Sequence, residues 1–392
     1  MKSLELFSGA GGLAEGLRIS GFEHTGLLEY NKDACNTLRL NFPKSKIFEQ
    51  DIRDFNFKDI GSIDILGGGP PCQPFSLGGK AKGFDDSRDM FPHAIQGIRE
   101  LMPKAFIFEN VKGLLRQSFT SYFNYIILQL TYPEIGLIKN EDWQSHLQRL
   151  EKIHTSGVYA GLKYNVVFRL INAANYGIPQ KRERVIIVGI RDDLGIEWSF
   201  PKETHSEERL LWDKFVTGEY WERNKVAKSK REAIDDSLKK RVESLKNQYG
   251  FFSPDKDPWQ TIREALIDLP DPRTNKFSSE HIFRDGARVY PGHTGSYIDE
   301  PSKTIKAGDH GVPGGENMIR FENGEVRYLT ILEAKRIQTF PDDYLITGSW
   351  TEGMRQLGNA VPVKLANLIG NELIKKLSCQ QAFGSMAAEV VN

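Results

Sequence analysis

The stretch Gly67-Gly68-Gly69-Pro70-Pro71-Cys72-Gln73-Pro74-Phe75-Ser76 decides how the rest of this 392-residue chain is read. It follows Ser62-Ile63-Asp64-Ile65-Leu66, a short apolar run that reads as a buried parallel strand. The strand therefore runs out into glycines and prolines. Two prolines fix backbone angles and remove two N–H donors, so the loop is stiff and cannot continue a sheet. Cys72 stands at its tip. In open α/β sheets the ligand crevice lies at the carboxyl ends of the strands, so a thiol there is placed like a nucleophile. A small residue buried in a proline turn is the blander reading of the same cysteine.

Upstream, Ser3 to Phe7 has a strand pattern, Ser8-Gly9-Ala10-Gly11-Gly12-Leu13 a glycine turn, and the residues through Leu17 a helix pattern. Strand, glycine turn and helix make the nucleotide-binding arrangement, although this is not Gly-x-Gly-x-x-Gly and also fits a plain tight turn. The next strand, Thr25 to Leu28, ends at Glu29, near where an acidic residue accepts ribose hydroxyls. Asp51-Ile52 follows a third strand, Ile47-Phe48. Acids after consecutive strands line one crevice; each singly also serves as a cap for a following helix. Cys35 lies in a helical pattern, Lys32 to Phe42, and is read as core.

Downstream, Gly78 to Arg88 is glycine-rich and basic without apolar periodicity. It reads as a lid that closes on substrate, or as a solvated surface loop. Ala105 to Phe108 is a buried strand ending at Glu109-Asn110-Val111, which puts a carboxylate at the same sheet edge as Cys72. Residues 114–162 look helical, with Phe119, Tyr122, Phe123, Ile126, Ile127, Leu130, Trp143, Leu147, Leu150 and Ile153 as core, and read as an inserted helical pair. Tyr164 to Ile171 and Val185 to Ile190 are strands. From 201 to about 325 the alternation stops. Trp212, Tyr220, Trp221 and Trp259 are interleaved there with Lys225, Lys228, Lys230, Arg231, Lys239, Lys240 and Arg241, which reads as a DNA-facing surface or, in part, a solvated helix. Thr330-Ile331-Leu332-Glu333 makes a capping box for a helix stopped by Pro341. Gly358-Asn359 before Pro362 reads as a tight turn and helix start, with an apolar helix to Leu377. Residues 380–392 read as a loose tail.

Charge is balanced, 52 basic against 52 acidic residues, so nucleic-acid binding would need basic groups gathered on one face. No apolar run approaches a membrane span and the N-terminus opens into a strand pattern, so neither signal peptide nor anchor is expected. Three separated cysteines argue against disulfides and structural zinc, and the eight histidines show no ligand spacing. A reducing cytoplasm and no metal are expected.

Pro-Pro-Cys-Gln at 70–73, Glu-Asn-Val at 109–111, Gln-x-Arg-x-Arg at 180–184 and Gly-Asn at 358–359 occur in the order found in the cytosine-C5 DNA methyltransferases. The chain resembles that family over roughly residues 1–191 and 327–378. The resemblance implies a doubly wound, mostly parallel α/β sheet of the S-adenosylmethionine-dependent methyltransferase type, with a smaller target-recognition domain inserted before the last helices. The domains would be 1–200 (with the 114–162 insertion), 201–326 for recognition, and 327–379 returning to the catalytic domain. S-adenosylmethionine would be held by Phe7, Ser8, Gly9, Gly11, Gly12, Leu13, Glu29, Tyr30, Asp51, Ile52, Pro70, Asn359, Ala360 and Val361. Cys72 would add to the cytosine ring, with Glu109, Arg182 and Arg184 in catalytic roles. Pro71, Gln73, Ser76, Lys80, Arg88, Gln180, Thr304 and Ile305 would meet the DNA; Thr304-Ile305 stands where the family has Thr-Leu. The implied enzyme is a cytoplasmic monomer acting on double-stranded DNA and paired with a restriction endonuclease. A tRNA-methylating relative would share these blocks. A dinucleotide oxidoreductase would share only the glycine turn, and a non-catalytic DNA-binding module would be expected to lose Cys72 or Glu109.

Overall fold

A computed structural model describes residues 1–71, 89–274, 277–307 and 317–389, with side chains through Cys379. Cys72, Gln73, Ser76, Lys80 and Arg88, and with them the expected lid, lie outside the described residues. The chain forms two compact units. One holds Met1–Ile171, Glu183–Pro201 and the chain from Ala366 on; the other holds Asn172–Arg182 and Lys202–Leu365.

The first unit alternates strand and helix: β1 (Lys2–Leu6), α1 (Gly12–Ser20), β2 (Glu23–Glu29), α2 (Lys32–Asn41), β3 (Lys46–Glu49), β4 (Ile65–Gly68), α3 (Phe91–Leu101) and β5 (Ala105–Val111). Two helices follow, the pair expected as an insertion, α4 (Thr120–Thr131) and α5 (Trp143–Ser156), then β6 (Tyr164–Asn172). After the short β7 (Gln180–Lys181), which belongs to the other unit, β8 (Glu183–Arg191) completes a seven-stranded sheet. Its order is β3-β2-β1-β4-β5-β8-β6. Strands β1 to β5 are parallel to their neighbours, and β8 is antiparallel to β5. The doubly wound, mostly parallel sheet expected from the sequence is therefore present. Strand order reverses beside β1, so the loops leaving β1 and β4 part and open a crevice at their carboxyl ends.

Leu4, Leu6, Leu28 and Leu66 share one core with Phe57, Phe91, Ile95 and Ile98. Strand β4 is displaced from its expected place, beginning at Ile65 and using Gly67 and Gly68. At Gly68 a Cβ would lie 2.5 Å from the Leu6 carbonyl oxygen, so only glycine lets β4 lie this close to β1. Helices α4 and α5 pack through aromatic and histidine contacts: Tyr125 Oη lies 2.8 Å from His146 Nδ1, and Tyr132 Oη lies 3.0 Å from His154 Nδ1. Leu150 is fully buried, as the helical spacing predicts, and so is Cys35.

The second unit is made of short pieces: β9 (His205–Ser206), α6 (Glu207–Trp212), α7 (Glu219–Arg223), α8 (Asp236–Tyr249), β10 (Asp257–Pro258), α9 (Ile262–Ala265), β11 (Ser296–Tyr297), β12 (Ser302–Lys303), β13 (Met318–Arg320) and β14 (Val326–Tyr328). Then come α10 (Ile331–Ile337) and α11 (Trp350–Asn359). The last helix, α12 (Val363–Glu389), crosses into the first unit at Ala366.

Four expectations are corrected here. The return to the first unit falls at 366, not 327, and residues 172–182 go with the second unit. The reason is local: β12 pairs with β7, and Arg182 reaches the carbonyls of Ile305 and Gly358. Secondly, Trp212, Tyr220, Trp221 and Trp259 form cores rather than a DNA face. Tyr220, Trp221 and Trp259 are buried in one cluster and Trp212 in another, around the buried Lys214 ammonium, which lies 5.5 Å from the Trp221 ring centre. Thirdly, Gly358-Asn359 ends α11 rather than making a turn, and Gly358 serves close packing: a Cβ there would lie 2.6 Å from the Ala307 nitrogen. Finally, the backbone of 380–389 continues α12 instead of forming a loose tail. The run Gln380-Gln381-Ala382 and Met386-Ala387-Ala388-Glu389 is composed of helix formers, and no proline follows Pro362. The capping box of α10 is present as read, with both the Thr330 and Glu333 bonds made.

Candidate active site

The loop after β1 is built by backbone geometry. Phe7 takes φ 56°, Gly9 φ 54° and Gly11 φ 78°. Gly11 caps α1 in a left-handed conformation that a side chain would strain. Phe7 adopts it despite its Cβ, while Ser8 N–H donates to Leu28 O at 3.1 Å. A bulky residue held at positive φ marks a position that its surroundings over-determine.

Glu29, at the end of β2, is pinned by backbone donors. Gly9 N–H bonds its Oε2 at 2.9 Å, and Tyr30 and Asn31 N–H bond its Oε1 at 2.9 and 2.8 Å. Each carboxylate oxygen has two acceptor sites, so Oε2 keeps one for a further donor. Asp51 caps a short turn through the Arg53 N–H, and the Arg53 side chain grips both of its oxygens. That grip holds the Asp51 carboxyl at about 2, below the usual carboxylate range. Beneath this shell sits Glu5, 2% exposed, whose Oε2 has no hydrogen-bond partner. Burial, and then the Glu29 charge, push the Glu5 carboxyl well above its ordinary value. Together Phe7, Leu28, Glu29, Tyr30, Gln50, Asp51, Ile52, Arg53, Pro71 and Met90 line a cavity of about 380 Å³. That volume lies within the range of small-molecule pockets.

Five of the expected cofactor residues line this cavity: Phe7, Glu29, Tyr30, Asp51 and Ile52. Pro71, expected to meet DNA, lines it too. Ser8, Gly9, Gly11, Gly12 and Leu13 form the turn and the first residues of α1 beside it. Pro70 is buried, and Asn359, Ala360 and Val361 lie in the second unit at the end of α11. Sequence reading did not place Leu28, Gln50, Arg53 or Met90 at the site. Arg53 reads there as one more charge in a polar turn, and only its bonds to Asp51 distinguish it.

At the end of β5, Glu109 is 9% exposed and Arg184 of β8 pairs with it, Nε to Oε1 2.6 Å. Antiparallel pairing of β5 with β8 sets this contact. The other carboxylate oxygen, Oε2, faces Gly69: a Cβ there would lie 3.4 Å from it. Asn110 Nδ2 donates to the Pro70 carbonyl at 2.9 Å, tying the end of β5 to the root of the Pro70-Pro71-Cys72 loop. Asn110 was quoted in the motif without a role, and its side chain supplies one.

Gln180, Arg182, Thr304 and Ile305 all lie in the second unit. Gln180 is fully buried, donating to Gln338 Oε1 at 3.1 Å and accepting from Ile305 N–H at 3.2 Å. Arg182 is 1% exposed and spans Ile305 O and Gly358 O, at 3.4 and 2.8 Å. Thr304 Oγ1 donates to Lys181 O at 2.9 Å, and the Ile305 side chain is core. Burial or hydrogen bonds within the second unit already engage all four.

The family model for C-5 cytosine-specific DNA methylase matches residues 1–133 and 136–375. The Type II methyltransferase M.PspPI of Psychrobacter sp. is 33% identical, over 96% of this chain and 79% of its own length. The Type II methyltransferase M.NgoMIV of Neisseria gonorrhoeae is 32% identical, over 96% of this chain and 97% of its own. Among solved structures, the Dnmt2 methyltransferase of S. pombe overlays with a TM-score of 0.55 at 17% identity, covering 96% of this chain and 99% of that one. That last likeness concerns the fold alone.

Proposed function

The chain belongs to the C-5 cytosine-specific DNA methylase family, and on that premise we propose that it methylates carbon 5 of a flipped-out cytosine in duplex DNA through a covalent bond to Cys72. It is a DNA cytosine-5 methyltransferase of the Type II restriction-modification kind. The observation that carries the mechanism is the Glu109–Arg184 pair beside Gly69, three residues before Cys72.

S-adenosylmethionine, when bound, supplies an electrophilic methyl group on a sulfonium. The cavity fits such a cofactor by its chemistry: a carboxylate with an open acceptor site at Glu29 for a ribose hydroxyl, and apolar walls at Phe7, Leu28 and Ile52. Cytosine carbon 5 is itself a poor nucleophile. The Cys72 thiolate gives its electron pair to a new bond at carbon 6, and the displaced ring electrons make carbon 5 enamine-like. Glu109 holds the proton at N3 and accepts from the exocyclic amino group, while Arg184 on its other oxygen fixes the carboxylate plane. After carbon 5 is methylated, a base removes its proton. That C–H pair restores the ring double bond and the thiolate leaves. Stacking hides carbon 6 from such an attack, so the base must leave the duplex.

The family description specifies DNA, which favours DNA over tRNA as acceptor. Methylation then protects DNA from a cognate restriction endonuclease. The test is a duplex carrying 5-fluorocytosine at the target. Fluorine cannot leave as a proton, so wild-type protein with cofactor should form a denaturation-resistant complex, and Cys72→Ala should form none. Methylation by the alanine variant would overturn the covalent mechanism.

A further inference from the structure

Helix α8 of the second unit has a face that packing does not explain. Its inner side, Leu245 with Leu238 and Tyr249, packs on Leu211 and Trp212 of α6, Val242 is buried, and Arg241 pairs with Glu207. Opposite, at helical spacing, Ser237, Lys240, Ser244, Asn247 and Gln248 form an exposed stripe, with Asp236 on its edge at the first turn. Among the described residues none of the side chains of Lys240, Ser244, Asn247 and Gln248 has a hydrogen-bond or ion-pair partner. Glu243 marks one border of the stripe and Arg241 the other, and Lys228 and Lys230 stand exposed on the preceding turn.

The helix ends on two adjacent aromatic rings left in solvent: Phe251 is 103% exposed and Phe252 81%. Their backbone is fixed on both sides. Gly250 N–H bonds Lys246 O at 2.8 Å and Phe252 N–H bonds Tyr249 O at 3.0 Å. Arg209 then donates to Ser253 Oγ and Pro254 O, and Pro254 is buried. Two rings presented on a braced corner, at the end of a basic and amide-bearing stripe, fit one kind of partner. Lysine suits phosphate, Asn and Gln suit base edges in the major groove, and an apolar wedge suits an opened base step. The 14-residue helix is roughly 21 Å long, a length that lies along a major groove.

We propose that the outward stripe of α8 and the Phe251-Phe252 corner are the duplex-DNA-reading element of the second unit, with Asn247 and Gln248 at base edges and the two rings packed against a base step. The assignment rests on the DNA methyltransferase reading above and names the residues that choose its target.

The target is first mapped by bisulfite sequencing of plasmid methylated by the wild-type protein. Kinetics then compare a duplex carrying that target with one differing by a single base. Asn247→Ala with Gln248→Ala should narrow the ratio of kcat/KM between the two duplexes by about tenfold or more, the discrimination of one good bidentate contact. Phe251→Ala with Phe252→Ala should raise KM for the target duplex with kcat little changed, and leave S-adenosylmethionine binding, read by calorimetry, as in the wild type. These side chains are exposed and unpartnered, so both variants should unfold like the wild type. An unchanged ratio and KM in variants that still methylate would overturn the assignment alone. A wild-type protein that neither binds nor methylates duplex DNA would overturn it together with the reading it rests on.

Discussion

His24 sits on β2 under α1, with Nδ1 2.8 Å from Ser3 Oγ and Nε2 2.9 Å from Ala14 O. The carbonyl can only accept, so Nε2 carries the proton and Nδ1 accepts from the serine. Burial opposes a second proton and pulls the imidazole from 6.5 down to about 4. An unfolded chain takes up that proton near pH 6.5, the folded chain only near 4. Stability is therefore whole above 6.5, declines as pH falls toward 4, and changes no further below that on this account. The expected loss is on the order of 3 kcal/mol. Urea unfolding followed from pH 7.5 to 4 should show this decline in the wild type and a shallower one in His24→Gln, whose amide can keep both bonds; parallel profiles would remove His24 as the cause. Other single residues show what spacing can and cannot reveal. Glu29, Asp51 and Glu109 are legible because each ends a strand of a parallel sheet, and such ends share one crevice. Arg182 and Arg184 are two apart in one motif and read alike. Yet the chain passes from the second unit to the first between Arg182 and Glu183, so one guanidinium braces carbonyls and the other meets Glu109. No local pattern carries that distinction.

Among the elements, α11 shows why a motif read as a turn can be helix. Gly358 lies in its last turn, and the backbone of Lys306 and Ala307 runs across it; a Cβ would stand 2.6 Å from both the Lys306 carbonyl carbon and the Ala307 nitrogen. Alanine would ordinarily favour a helix over glycine by about 1 kcal/mol. Here the obstacle is backbone, which cannot rotate aside, and overpacking of this kind costs about 1–3 kcal/mol. Gly358→Ala should therefore lower stability in urea unfolding despite its better propensity. A gain would mean that the 306–307 segment yields. The sheet itself was legible because its strands are continuous apolar runs between glycine turns. The second unit was not, because its strands of two or three residues carry no period, and Tyr220, Trp221 and Trp259 are core rather than surface. Alternating tryptophan and lysine in sequence looks the same in either case.

For the molecule as a whole, a balanced count of 52 basic and 52 acidic residues leaves DNA affinity to local clusters, so binding should respond to salt through a few phosphate contacts. Target choice should move with part of the second unit. Exchange of residues 202–301 for those of a relative with another target spares β12, its pairing with β7 and the Arg182 contacts. Such a chimera should methylate the donor's site, as mapped by bisulfite sequencing; an active chimera that keeps the original site would place specificity outside this segment. In the first unit α1 packs against α12. Ser20 Oγ of α1 donates to Asn367 O at 3.0 Å, Asn367 Nδ2 reaches Gly16 O at 3.4 Å, and a Cβ on Gly370 would strike Ser20 Oγ. On the ribosome, the partner that covers α1 is thus made long after α1 itself. At about 5–20 residues per second, roughly 10–40 s separate the emergence of Ile171 from that of Ala366. Throughout that interval the nascent first unit carries an uncovered α1 face.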